Sequence, residues 1–449
     1  MKSTISKYRW KILALLFMAT VINYLDRSII GFLGPTLKLH VFKWTDLDYA
    51  KIQISFKIAY SLGLLCMGAL IDKIGTKKGY IISIIIWSIF GLGHSLVTQT
   101  MGWVGFAIAR FGLGFGEAGN FPAAMKTVAE WFPKKERAYA TGLFNAGSNV
   151  GAVLAPILIP LIVSDDGEHW QYSFMITAFF SAVWIYLWRK FYNKPEQRAE
   201  LSAEELSYIK GDEQSIIAES RIEWKQLFTL KQTWVFAFAK TTDAVWLFYL
   251  FWGGFFLNRS FGLELRGLAL PIIVIYVLAD VGSIAGGWFS SRLIKRGMAV
   301  YKARKTALFV ATLFILPVVF APQVQSAWTA ILLIAFAAAG HQAWSANLLT
   351  LVPDIFPRKA TASVIGIGGM VGYASGALSD LFLGKALTDA GPIGYVYAFA
   401  FAGCLYIIAL LVLHFGLGKM QPLNNDLKPV SNEEKIERAE FSNKIKEIC

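Results

Sequence analysis

The sequence predicts an all-α polytopic membrane protein in which twelve transmembrane helices form two pseudo-symmetric six-helix halves. Three observations carry that expectation. Of the 449 residues 55% are hydrophobic and only 16% are charged, and the mean hydropathy is +0.50, too apolar for a soluble globular chain. Apolar runs long enough to cross about 30 Å of hydrocarbon as helices recur along the whole length. Lys and Arg gather in every second connection between those runs, the pattern that orients helices in a bilayer.

Six runs lie near 11–36, 50–71, 79–97, 101–125, 138–162 and 171–190, giving an N-terminal half over 1–190. From 191 to 232 the charge density rises, Pro195 interrupts the helix, and Ser202 with Glu205 makes a capping-box pattern ahead of a short surface helix. That stretch reads as a central cytoplasmic loop. Six further runs near 233–257, 267–291, 303–321, 327–352, 360–386 and 394–416 make a C-terminal half over 233–418, and 419–449 is a charged cytoplasmic tail. Pro35, Pro122, Pro156 and Pro353 fall inside or at the ends of runs, where bends are expected.

The basic side carries Lys2, Lys7 and Arg9, then Lys73, Lys77 and Lys78, then Lys134, Lys135 and Arg137, then Arg292, Lys295, Arg296, Arg304 and Lys305, then Arg358 and Lys359. It is assigned to the cytoplasmic face of an inner (plasma) membrane, with both termini on the same side. Lys38, Lys43 and Lys51 in the first outer loop are exceptions. Because the net charge of +13 is spread over loops rather than one face or tail, nucleic acid is not an expected partner. The basic N-terminus leads into a run that carries Asp26 and Arg27 and lacks a small-residue cleavage site, so it reads as a retained span. Cys66, Cys404 and Cys449 offer no metal spacing and no disulfide pair, and no nucleophile elbow or Walker pattern points to an enzyme or a cofactor. Gly114-Phe-Gly-Glu-Ala-Gly119 satisfies the dinucleotide pattern literally, but no strand precedes it, and its glycines are expected to let helices approach.

The informative residues are the charges inside the runs. Arg110 and Glu117 are seven residues apart, close to two helical turns, and so lie on one face. Asn23-Tyr-Leu-Asp-Arg-Ser28 places Asp26 and Arg27 deep in the first run, with Asn23 one turn below. Each charged side chain at mid-bilayer depth costs about 2.5 to 3.5 kcal/mol on insertion scales, so keeping four of them calls for partners or a wet cavity. Such residues mark a pathway through a helix bundle.

Several blocks resemble a known family. Gly68-Ala-Leu-Ile-Asp-Lys-Ile-Gly-Thr-Lys-Lys78, after the second run, resembles the loop motif of the major facilitator superfamily. Gly287 to Gly297, after the eighth, looks like its degenerate repeat, with Ser291 near where an Asp is usual. Asn23 to Ser28, Arg110 to Ala123, Glu130 to Ala138, Thr242 to Trp252 and Gly340 to Asn347 are similar to the anion:cation symporter family, most of all its hexuronate branch. The resemblance implies proton-coupled symport of a sugar acid such as glucuronate or galacturonate by a protein that is expected to be monomeric. Relatives of similar pattern carry galactonate, glucarate, tartrate or aromatic acids, by symport or exchange. The fifth run lacks the Gly-Pro pattern typical of superfamily antiporters, which favours symport.

Within that frame Glu117 and Asp26 are the proton-coupling candidates. Burial favours the neutral carboxyl and a neighbouring guanidinium the charged one, so modest movement changes which form wins. A static ion pair that fixes packing is the alternative. Arg27 and Arg110 are the candidates for holding the substrate anion, since a guanidinium fork matches a carboxylate and stays charged. Tyr60 either donates a hydrogen bond to substrate or packs at an interface. Lys57, one turn earlier, either binds or snorkels to the outer surface. Asn145, with Ser148 and Asn149 on the same face, suits sugar hydroxyls or helix contacts. Asp243, Trp246, Tyr249 and Trp252, with His341, Gln342, Trp344, Ser345 and Asn347, make either a wall for a sugar ring or packing. Asp280 is a further buried acid, with Lys240 or a polar neighbour as a candidate partner. Asp72, Lys73 and Arg137 are expected to pair across the cytoplasmic face as a gate.

Overall fold

The computed structural model describes residues 8–198, 200–210, 224–424 and 426–429. Helix α1 (Tyr8–Thr36) runs the full depth of the bundle; its Pro35 removes a backbone donor, and the ladder slackens into the π-type turn Leu37–Phe42. Thr45 then starts α2 (Asp46–Ile74) through a reciprocal capping box with Asp48. Next come α3 (Thr76–His94), then α4, which is broken into Gly102–Glu117 and Asn120–Trp131, then α5 (Lys134–Leu158) and α6 (Trp170–Phe191). In the second half α7 is also broken, into Lys231–Ala239, the 3₁₀ turn Lys240–Thr242 and Asp243–Phe261. It is followed by α8 (Leu265–Lys295), α9 (Val300–Ile315), α10 (Ala327–Ile355), α11 (Arg358–Ala390) and α12 (Ile393–Leu417).

Eight of these helices are individually long and apolar enough to cross a membrane. The other four paths are α3, α4, α6 and α7, and they complete the twelve that the sequence predicts. Each is weaker as an isolated signal for a visible reason. Thr76, Lys77 and Lys78 open α3, α6 is rich in Trp and Tyr, and α4 and α7 are interrupted beside an ionisable residue, just after Glu117 and just before Asp243. Large apolar side chains such as Ile89, Leu161, Phe179, Ile284, Leu378 and Phe415 stand exposed around the bundle, as a lipid-facing surface requires.

Within the N-terminal half α4 lies between α2 and α3, and two glycines set the spacing. A Cβ at Gly114 would come within 2.6 Å of the Phe56 carbonyl oxygen on α2, and one at Gly116 within 2.5 Å of the Trp87 backbone nitrogen on α3. The literal dinucleotide pattern is thus a packing device, as its place in a span implied. The halves meet where α2 packs on α11, α1 on α7 and α5 on α8.

The helix Ala203–Lys210, after α6, is anchored to the first half. The Glu205 backbone N–H donates to Ser202 Oγ at 3.1 Å and starts the helix Ala203–Lys210. The expected capping box is only half formed, because the Glu205 carboxylate instead accepts from Arg9 at 3.1 Å, and Arg9 also reaches Glu136 at 3.0 Å. A buried guanidinium outcompetes the backbone donor for that carboxylate.

Gly116→Ala should lower the stability of the purified protein by about 1 to 3 kcal/mol, since the added carbon meets backbone that cannot rotate away. A thermal melt in detergent that matches wild type would show that α3 and α4 are not in such close contact.

Candidate substrate-binding site

Tyr24 and Arg27 are one turn apart on α1 and face a cavity of about 530 Å³ between the halves. The lining adds Phe121 from α4, Asn145, Ser148 and Asn149 from α5, Lys240, Asp243 and Trp246 from α7, Asp280 and Ser283 from α8, Gln342 and Ser345 from α10, and Tyr373 from α11. This volume is in the range of small-molecule sites, and the wall is rich in hydrogen-bonding groups.

Arg27 is the charged centre of the wall. Its Nε donates to Glu117 Oε2 at 3.0 Å, Nη2 lies 2.9 Å from the same oxygen as an ion pair and donates to Asn23 Oδ1 at 3.5 Å, and Nη1 donates to the Tyr373 hydroxyl at 3.0 Å. Tyr60 lies under the guanidinium at 4.6 Å and stacks on Tyr373 at 4.5 Å between ring centres. Glu117 is fully buried behind Arg27, and its second oxygen, Oε1, has no hydrogen-bond partner among the described residues. The break in α4 directly after Glu117 ends the helical ladder beside this pair.

The other two charges that the sequence singles out do not join them. Asp26 follows the same helix about 100° round from Arg27 and points toward Thr177 of α6 and the backbone of Gly91. Arg27 is therefore not its partner, a correction that helix geometry explains. Arg110 donates to Gln53 Oε1 at 3.3 Å and lies over Phe56 at 4.5 Å and Phe251 at 5.7 Å, while its Nε and Nη1 are unpartnered among the described residues. It stands off the cavity wall.

The remaining candidates separate in the same way. Asn145, Trp246, Gln342 and Ser345 line the cavity, with Trp246 stacked on His341 at 5.5 Å. Trp344 is buried against Tyr406, and Asn347 donates to the carbonyls of Gly286 and Ala343 at 3.0 and 2.9 Å, tying α10 to α8. Those two face away because residues two and five beyond Gln342 fall on the far side of α10. Tyr249 sits in a separate narrow crevice with Ser28 and Gly31. Lys240 pairs with Asp243 at 2.5 Å rather than with Asp280.

Lys57 neither snorkels nor faces the cavity. It is fully buried and pairs with Asp380 of α11 at 2.6 Å; it also donates to the Gly376 carbonyl at 3.2 Å, while Trp252 Nε1 donates to Asp380 at 3.0 Å. Asp380 and Tyr373, seven residues apart on α11, escaped the sequence reading, although two-turn spacing of an acid and a tyrosine in a glycine-rich span was a usable signal. The pair belongs to a seam that closes the bundle at its Asp46 end. There the Tyr49 hydroxyl donates to the Phe251 carbonyl at 2.7 Å and Arg259 reaches Asp46 at 2.9 Å. Of the gate candidates, Asp72 pairs with Lys126 of its own half at 2.9 Å and Lys73 is exposed; the Arg137 side chain lies outside the described residues.

Two helical lobes enclosing a polar cavity around a buried ion pair are the arrangement of a membrane transporter. The chain belongs to the Major Facilitator Superfamily, whose family model matches residues 16–380. It is 30% identical over 412 residues to the hexuronate transporter of Escherichia coli (strain K12), covering 90% of this chain and 93% of that one. It is 34% identical over 288 residues to the galacturonate transporter of Dickeya chrysanthemi, covering 62% of this chain and 81% of that one. The solved structure of a bacterial homolog of the human lysosomal transporter Spinster, inward-facing and occupied, shares the fold with a TM-score of 0.73 at 18% identity, over 92% of this chain and 97% of that one. The D-xylose-proton symporter does so with a TM-score of 0.71 at 14% identity, over 94% of this chain and all of that one.

Asp380→Asn should cost about 3 kcal/mol or more of stability by leaving Lys57 buried without a counter-charge, whereas Lys57→Leu with Asp380→Leu should recover most of it. Thermal melts of the single and double variants check this; equal losses in both would mean the pair is not what closes the seam.

Proposed function

We propose that the protein is a proton-coupled symporter of a sugar acid, a hexuronate such as glucuronate or galacturonate, that works by alternating access of its two halves. The observation that carries this reading is Arg27, which faces the cavity while Glu117 holds it from behind through one oxygen and keeps the other free. The relatives named as hexuronate and galacturonate transporters support the substrate class.

In this reading a proton adds to Glu117, its grip on the guanidinium weakens, and Arg27 turns its N–H fork to the substrate carboxylate. Asn145, Gln342 and Ser345 supply donors and acceptors for the sugar hydroxyls, and Trp246 offers a face to the ring. Proton and anion each bind better when the other is present, which is a coupling free energy between two sites. Taking the basic loops and both termini as cytoplasmic, the closed seam at Asp46 shuts the cavity on its outer side. Arg110, Asp26 and the cytoplasmic charges Asp72, Lys73 and Arg137 are then assigned to the rocking of the halves rather than to substrate contact.

A second reading, transport of an aldarate or aldonate, draws support from the 26% identity to the probable galactarate/D-glucarate transporter GarP of Escherichia coli (strain K12). Uptake of labelled galacturonate and of competing acids into proteoliposomes separates the two.

Glu117→Gln should abolish accumulation driven by a pH gradient and spare counterflow exchange, because the glutamine mimics a permanently protonated site. Gradient-driven accumulation at wild-type levels by that variant would overturn the coupling role. Arg27→Lys should weaken substrate binding about tenfold or more, since an ammonium cannot reproduce three directed donors, and a binding titration on the purified protein reads it.

A further inference from the structure

The charges around the cavity do not cancel evenly. Arg27 on the α1 wall is balanced by Glu117 behind it, and Lys240 is balanced by Asp243 at 2.5 Å. His341 is held between the Tyr406 hydroxyl at 2.6 Å and the stacked Trp246 ring, and Tyr24 and Tyr373 contribute phenols. Asp280, half-buried on the α8 wall, is the lining carboxylate that has no cation against it among the described residues. The cavity is therefore polarised, with a guanidinium on the N-terminal half and an unpaired carboxylate on the C-terminal half.

We infer that Asp280 makes this cavity selective for sugar acids with one carboxylate against the dicarboxylates of the same carbon skeleton. The inference rests on the sugar-acid reading above and deepens it. An ionised carboxylate is acceptor-only, so it suits the hydroxyl donors of a sugar and repels a second anion. Ser283 lies one turn further along α8, and Gln342 and Ser345 of α10 line the same cavity as neutral groups that take either role. With the substrate carboxylate at Arg27, the far end of a hexuronate presents its anomeric hydroxyl to this group. Galactarate differs from galacturonate in carrying a second carboxylate at that carbon. Whichever end Arg27 takes, the other is brought among the α8 and α10 groups with the same sign of charge as Asp280. Discrimination then comes from a repulsive element against the wrong ligand.

The test measures apparent Kd for galacturonate and for galactarate by thermal stabilisation of the purified, full-length protein, in wild type and in Asp280→Asn, with Asp280→Ser as a second variant. Wild type should favour galacturonate by about tenfold or more, and the variants should bring the ratio toward one, chiefly by tighter galactarate binding. An unchanged ratio in both variants, or an equal loss of both ligands, overturns the inference and leaves sugar-acid binding standing. A wild type that takes galactarate as tightly as galacturonate does the same. A wild type stabilised by neither acid overturns the proposed function, and the inference falls with it.

Discussion

A guanidinium and a carboxylate are held together in the middle of an apolar bundle, with the Arg27 and Glu117 side chains only 2% and 0% exposed. Each charge is costly there alone, so each favours the placement of the other, and with it the relative placement of α1 and α4. The geometry is asymmetric in a consequential way. Arg27 donates Nε to a single oxygen of Glu117 with Nη2 beside the same oxygen, and Nη1 to Tyr373 on the opposite half, so one side chain links the two helices of its own lobe to the other lobe. A change in the charge of Glu117 is therefore felt at the interface between halves and not only within one.

The helix breaks serve the same end. α4 stops at Glu117 and resumes at Asn120, and α7 passes through a 3₁₀ turn between Lys240 and Thr242 before resuming at Asp243. Irregular backbone is tolerated at membrane depth only inside protein or beside a wet cavity, and both breaks lie where Phe121, Lys240 and Asp243 reach the cavity lining. Polar groups freed from the ladder are thus placed where water or ligand can satisfy them. The price of an interrupted helix is met by the cavity it helps to form.

Much of this was legible in the sequence. Hydropathy and the placement of bases yield the twelve paths, including α3, α4, α6 and α7, which fall short as isolated spans because polar openings, aromatics or breaks dilute them. Depth inside the apolar runs put Arg27 and Glu117 among the candidates, and Asn145, Gln342 and Ser345, which the sequence left open between substrate wall and packing, line the cavity. Chain adjacency misled where helical rotation decides. Asp26 sits next to Arg27 in sequence yet turns toward Thr177, and Trp344 and Asn347 sit next to cavity residues yet face α12 and α8. The Lys57–Asp380 pair was out of reach for a different reason. It joins residues more than three hundred positions apart across the two halves, and no local pattern on either helix names its partner.

For the alternating access proposed above, that pair and Arg110 place opposed terms at the seam. Lys57 and Asp380 meet across α2 and α11 with a second donor from Trp252, so opening the seam exposes two charges that must find water. Arg110 pulls the other way. It is fully buried between Phe56 of its own half and Phe251 of the other, with two of its nitrogens unpartnered, a poor exchange for hydration even with both ring faces against it. In the proposed alternating access, opening the seam would remove Phe251 from above Arg110 and admit water to those nitrogens. One buried charge group thus gains from the closed seam and another from the open one. Opposed terms of a few kcal/mol each leave a small difference between the two arrangements, and a small difference is what binding of one ligand in the cavity is able to tip.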